Sequence, residues 1–174
     1  MPPTLYILYN ATSTPLGKLD YAYRKLTSPS SQSPCSACDL THGGLRLTET
    51  KEWSATKKRI PADVQQLHRD EASQEVCPLC SILCLEGWML CWNGGWLTKA
   101  GEGQILEFVK ANGVRWPCVL GREGEGEGLR LVVDAEGLRE CRGDHERFLE
   151  RLVAGARGVG ISLDVERRGE GVAG

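Results

Sequence analysis

Cys35-Ser36-Ala37-Cys38-Asp39-Leu40-Thr41-His42 is the densest run of chemically capable side chains in the 174-residue sequence. Two thiols at this spacing can bridge each other, or both can face one ion. For thiol–disulfide exchange, Cys35 is the expected nucleophile, because it stands nearer the preceding loop. A helix beginning near Ser36 would lower its pKa through exposed backbone N–H groups. Cys38 would then resolve the mixed disulfide, with Asp39 or His42 exchanging protons with it. For metal binding, Cys35, Cys38 and His42 offer three soft or borderline zinc ligands, His42 lying one helical turn beyond Cys38. His68 is the expected fourth ligand. Asp70 or Glu71 would serve on the same grounds, and an open position would permit hydrolytic chemistry. For a purely structural role, the two cysteines are small core residues, and Asp39, Thr41 and His42 cap a helix and satisfy a turn before Gly43-Gly44. Three readings therefore stand together: a redox pair without a cofactor, a zinc site, or a non-catalytic packing element.

Composition bounds the partners. With 41% hydrophobic and 25% charged residues and a net charge of -2, the chain has the content of one globular domain and no basic field for gripping nucleic acid. The expected partner is a protein or small-molecule thiol or disulfide. The start Met1-Pro2-Pro3-Thr4 lacks a positive region, and Leu5 to Tyr9 is too short for an export signal core. The longest apolar stretch, Ile82 to Trp92, contains Glu86 and Gly87 and falls short of the roughly 20 residues needed to cross a bilayer. These features predict a cytoplasmic protein without a membrane partner, in which the eight cysteines are mostly thiols. The oligomeric state is not encoded in any of these patterns.

The elements that must position the cysteines follow from periodicity. Leu5-Tyr6-Ile7-Leu8-Tyr9 reads as a central strand covered on both faces. Leu16, Leu19, Tyr23 and Leu26 recur at helical spacing, which predicts an amphipathic helix packed on that strand. Ser28 to Pro34 is a loop leading into the cysteines. Glu49 to Arg59 has helix-forming composition around Trp53, and Ala62 to His68 reads as a half-buried strand. Ile105, Leu106, Phe108 and Val109 mark a helix closed by Asn112-Gly113, and Trp116 to Leu120 a strand. Gly121 to Gly128 is a solvated hairpin loop, Leu129 to Asp134 a strand, and Asp144 the N-cap of a helix carrying Phe148, Leu149, Leu152, Val153 and Ala156 on one face. Cys118 and Cys141 are expected as buried apolar thiols, and His145 as a first-turn surface residue.

The main order is strand, helix, strand, helix, strand, strand, helix. It resembles the thioredoxin-like fold, an α/β βαβαββα three-layer domain with a four-stranded mixed sheet. That resemblance implies a cis-proline before the third strand, beside the active site; Pro117 takes this place and would shape a substrate groove. In thioredoxins and glutaredoxins the Cys-x-x-Cys directly follows the first strand, whereas here the helix Leu16 to Leu26 intervenes. Leu8-Tyr9-Asn10, Gly17-Lys18-Leu19, Arg24-Lys25-Leu26, Cys35 to Gly43 and His68-Arg69-Asp70-Glu71 also resemble a set found in small uncharacterised bacterial and fungal proteins, which implies no activity.

Residues 77–103 break the surrounding pattern. They hold Cys77, Cys80, Cys84 and Cys91 and three of the five tryptophans without helical or strand periodicity. Removing them joins the polar helix start Arg69 to Val76 to the apolar face of Ile105 to Val109. The segment reads as an irregular insertion in a domain of residues 1–157, of the kind a retained intron produces. Its rival reading is a zinc knuckle on those four cysteines. Residues 158–174, rich in Gly, Arg and Glu, are expected to form a flexible tail.

Overall fold

In a computed structural model the described residues are 2–27, 35–44, 46, 48–72, 102–124 and 126–165. The segment 73–101, which includes nearly all of the irregular insertion, lies outside them, and so do the loop 28–34 and residues 166–174 of the tail. Among the described residues the chain is mixed α/β, with four strands and seven helices. The strands are β1 (Thr4–Leu8), β2 (Asp63–Leu67), β3 (Cys118–Arg122) and β4 (Arg130–Val133). The helices are α1 (Pro15–Thr27), α2 (Ser36–His42), α3 (Lys51–Lys58), α4 (Arg69–Ala72), α5 (Glu102–Ala111), α6 (Ala135–Cys141) and α7 (His145–Gly158). No described helix is long and apolar enough to cross a membrane.

The sheet order is β2-β1-β3-β4. β1 pairs parallel with β2, from Thr4 opposite Asp63 to Leu8 opposite Leu67. It pairs antiparallel with β3, Leu8 facing Cys118, and β3 pairs antiparallel with β4 through an irregular step at Val119/Leu120. The unbroken apolar run of β1 follows from its central place, since alternate side chains enter two different cores. Leu5, Ile7 and Tyr9 join one core with α2, Trp53 of α3, Leu138 of α6 and Phe148, Leu149 and Leu152 of α7. Tyr6 and Leu8 join the other, with Ile105 and Val109 of α5. Both faces of the sheet are thus covered, giving three layers.

Side-chain caps start the helices of the first layer. Thr50 Oγ1 accepts from the Trp53 amide at 3.1 Å, Asp134 Oδ1 from the Gly137 amide at 2.7 Å, and Asp144 Oδ1 from the amides of Glu146 and Arg147. The whole of α6 was not expected from the sequence. Its seven residues carry a helix-weakening glycine at 137 and only two buried large side chains, Leu138 and Cys141, so periodicity is too brief to register.

Three further expectations are corrected. Leu16, Leu19, Tyr23 and Leu26 do not pack on the sheet; they are 79, 67, 69 and 77% exposed, and α1 instead turns Tyr21 into the core at 7%. Helical spacing identified one face of the helix, but not which face the body of the protein would take. The hairpin loop does not begin at Gly121, which lies within β3. A Cβ there would come within 2.8 Å of Ile161 and 3.0 Å of Leu5 and Val132, so the bare backbone is what lets those side chains meet over the strand. The tail expected to fray from Gly158 instead sends Ile161 and Leu163 into the first core, anchored by the Ile161 amide donating to the Ala156 carbonyl at 2.8 Å.

Candidate thiol site

The cysteine segment meets the sheet at the C-terminal ends of β1 and β2, which is also the N-terminal end of β3. Cys35 is the N-cap of α2, in extended conformation, and its sulfur accepts from the Cys38 amide at 3.3 Å. A thiol here takes the place usually held by a Ser or Asp oxygen, aimed at backbone donors of the first turn. The helix ends at Gly43, whose φ of 61° is the left-handed conformation that closes so short a helix. The amides of Gly43 and Gly44 donate back to the Asp39 and Cys38 carbonyls.

This cap brings the two sulfurs together. Cys38 Sγ donates to Cys35 Sγ across 2.6 Å. Burial pushes the Cys35 thiol up, but hydrogen bonds from the Cys38 thiol, the Cys38 amide and the Asn10 amide outweigh it and hold Cys35 below its ordinary value of 9.0. The same bond acts in reverse on Cys38, whose proton is retained between the sulfurs, and burial raises it further. Of the two, Cys35 is thus the thiol that gives up its proton more readily. Both sulfurs lie beneath the surface: Cys35 is 0% exposed and Cys38 8%. The expected placement of Cys35 as the more accessible thiol, beside a loop, is not what the fold adopts, because the N-cap role turns its side chain inward under the helix.

Asp39 and His42 flank the pair differently. Asp39 Oδ1 binds Lys25 Nζ of α1 at 2.6 Å, with both side chains partly exposed. The carboxylate disfavours ionisation of both thiols, and the Lys25 ammonium favours that of Cys38. His42 Nδ1 lies 2.7 Å from Thr41 Oγ1, and the Thr41 hydroxyl itself donates to the Ala37 carbonyl at 2.9 Å. Tyr9 joins this group from the end of β1. Its hydroxyl stands 2.9 Å from Thr41 Oγ1 and also hydrogen-bonds the Gln66 side chain, while burial keeps the phenol protonated well above its ordinary range.

His68 also packs against Tyr9, ring centroids 4.9 Å apart, with His42 at 5.8 Å from the same ring. Its Nδ1 meets Glu71 at 2.9 Å, and Glu71 also caps the His68 amide. Asp70 accepts from the Ser13 amide at 2.9 Å. The expected zinc set is not gathered as a group: Cys35 and Cys38 meet, whereas His42 directs its Nδ1 to Thr41 and His68 its Nδ1 to Glu71. Among the described residues no group of three or more His, Cys, Asp or Glu side chains is arranged to hold a metal ion. Pro117 is buried at the entry to β3, next to the residue that pairs with Leu8, and its peptide bond with Trp116 is cis.

Tyr9 and Lys25 belong to this site but have no chemical role in the sequence pattern, and Thr41 was expected only to help cap a helix and satisfy a turn. The available signal was a second phenol closing the apolar run of β1 and a lysine on the polar side of α1. The remaining described cysteines are separate. Cys118 is buried in the opposite core, and burial pushes its thiol up to about 12. Cys141 donates to the Gly137 carbonyl within α6. His145, expected on the surface, is half-buried against Trp53 at 6.1 Å, and burial lowers its pKa. Compared with protein-family models, curated proteins and solved structures, the chain gives no match.

Proposed function

We propose that the chain is a thioredoxin-like protein whose Cys35–Cys38 pair cycles between dithiol and disulfide by exchange with a protein or small-molecule partner. The observation that carries this reading is the pair itself: two sulfurs 2.6 Å apart, one held below its ordinary pKa by the hydrogen bonds it receives. The strand order, the parallel β1–β2 pair beside antiparallel β3 and β4, and Pro117 at the entry to β3 support the thioredoxin-like part. Helix α1, inserted between β1 and the cysteine helix, is its main departure.

In the reducing direction, the Cys35 thiolate attacks one sulfur of the partner's disulfide, and the other sulfur leaves as a thiolate. Cys38 then gives up its proton and attacks Cys35 Sγ, releasing the partner's second thiolate. The partner gains two electrons and, with protons from Cys38 and solvent, becomes two thiols; Cys35 and Cys38 become a disulfide. Forming that bond, about 2.05 Å long, needs the sulfurs to close by roughly half an ångström. Because Cys35 is fully buried, a bulky partner reacts only when the N-terminal turn of α2 moves away from the sheet edge. A reducing compartment such as the cytosol would keep the pair as the dithiol.

Equilibration of the full chain in glutathione redox buffers tests this. The expected result is one internal disulfide, found by peptide mapping between Cys35 and Cys38 and absent in Cys35→Ser. Cys38→Ser should instead accumulate a mixed disulfide at Cys35. Failure of the pair to oxidise in fully oxidised glutathione overturns the proposal, as does stoichiometric zinc in the reduced protein that is lost in either serine variant.

A further inference from the structure

We infer that α1 is a self-association surface through which two copies of this chain pair. Leu16, Leu19, Tyr23 and Leu26 are spaced three, four and three residues apart, the spacing that keeps one seam of a helix facing another helix. All four are largely exposed, whereas Tyr21 is buried on the opposite side and Lys25 reaches back to Asp39. The helix is therefore held to the body by one face while its apolar seam points away. The ion pair between Asp20 and Arg24, at 2.7 Å, supplies a charged rim.

A second copy is the occupant this seam fits. Antiparallel pairing about a two-fold axis places Leu16 opposite Leu26 of the second copy and Leu19 opposite its Tyr23, so each large side chain meets one of its own kind. The seam runs about 15 Å along the helix. Four side chains at these exposures present on the order of 500 Å² per copy, so pairing removes roughly 1,000 Å² in total. The patch of about 500 Å² on each copy is at the upper end of what a monomer ordinarily leaves in one place, and the total of about 1,000 Å² reaches what a weak, transient interface needs. The dimer is accordingly weak and reversible, dissociating at about micromolar concentrations.

Sedimentation velocity of the reduced full chain over about 1–200 μM, bracketing that dissociation range, tests the inference. The wild-type protein should shift from monomer to dimer with concentration, and Leu19→Glu and Tyr23→Glu should each raise the dissociation constant at least tenfold with unchanged circular dichroism. Should a charged variant misfold, Leu19→Ser and Tyr23→Ser carry the same expectation at smaller size. A monomer at every concentration overturns the proposal, including one whose α1 is protected from hydrogen exchange by another part of its own chain. A dimer that all four substitutions leave intact overturns it equally.

Discussion

At the scale of single residues, Lys25 is the most informative. It belongs to a different helix from the cysteines, yet its ammonium offsets the Asp39 carboxylate beside them. Lys25→Met should leave that carboxylate less compensated, so that ionisation of the pair begins at higher pH and exchange at neutral pH slows severalfold. Thiolate absorbance followed against pH is the measurement, and Lys25→Arg should preserve the wild-type curve. An onset unmoved in Lys25→Met would show that solvent already screens the ion pair. The thiols themselves were legible in sequence because their spacing of three is local. Tyr9 and Lys25 were not, since what unites them with the cysteines is the arrival of β1, α2 and α1 at one sheet edge. His68 was legible as a polar residue ending β2, but only the fold shows that its Nδ1 is taken by Glu71 while that of His42 meets Thr41.

Among the elements, the seat of α7 on β4 makes the sharpest demand. A Cβ on Gly155 would collide with the Val132 carbonyl, so the helix lies as close to the strand as a bare backbone allows. Gly155→Ala should therefore destabilise the protein by about 2 kcal/mol or more, despite the gain of roughly 1 kcal/mol in helix propensity. Thermal unfolding should show the melting temperature falling by about 5 °C or more. A rise would mean that propensity outweighs the steric cost. Periodicity read α7, β1 and α5 from the sequence because each holds a sustained pattern against a core. It misjudged α1, where a regular apolar stripe faces outward, and missed α6, whose N-cap Asp134 was absorbed into the end of a strand. The two failures differ in origin: α6 is too short for a pattern to register, whereas the stripe of α1 reports a preference for apolar contact and says nothing of which surface supplies it.

For the molecule as a whole, stability should fall at alkaline pH in a way that Cys118 makes measurable. Its thiol has an ordinary pKa of 9.0 and is pushed up to about 12 by burial. The folded chain therefore retains this proton where the unfolded chain has lost it. Its contribution is complete below pH 9 and disappears as the pH rises from there through about 12. Urea unfolding between pH 8 and 11 should show wild type losing on the order of 1 kcal/mol more per pH unit than Cys118→Val above pH 9. Parallel slopes for the two proteins would refute it. The sheet has a second consequence for this thiol. With Cys118 packed beneath one face and Cys35 and Cys38 above the other, four hydrogen-bonded strands stand between them as a partition. A disulfide linking Cys118 directly to Cys35 or Cys38 therefore requires the strands to come apart, so that particular cross-link becomes a chemical record of unfolding rather than of turnover.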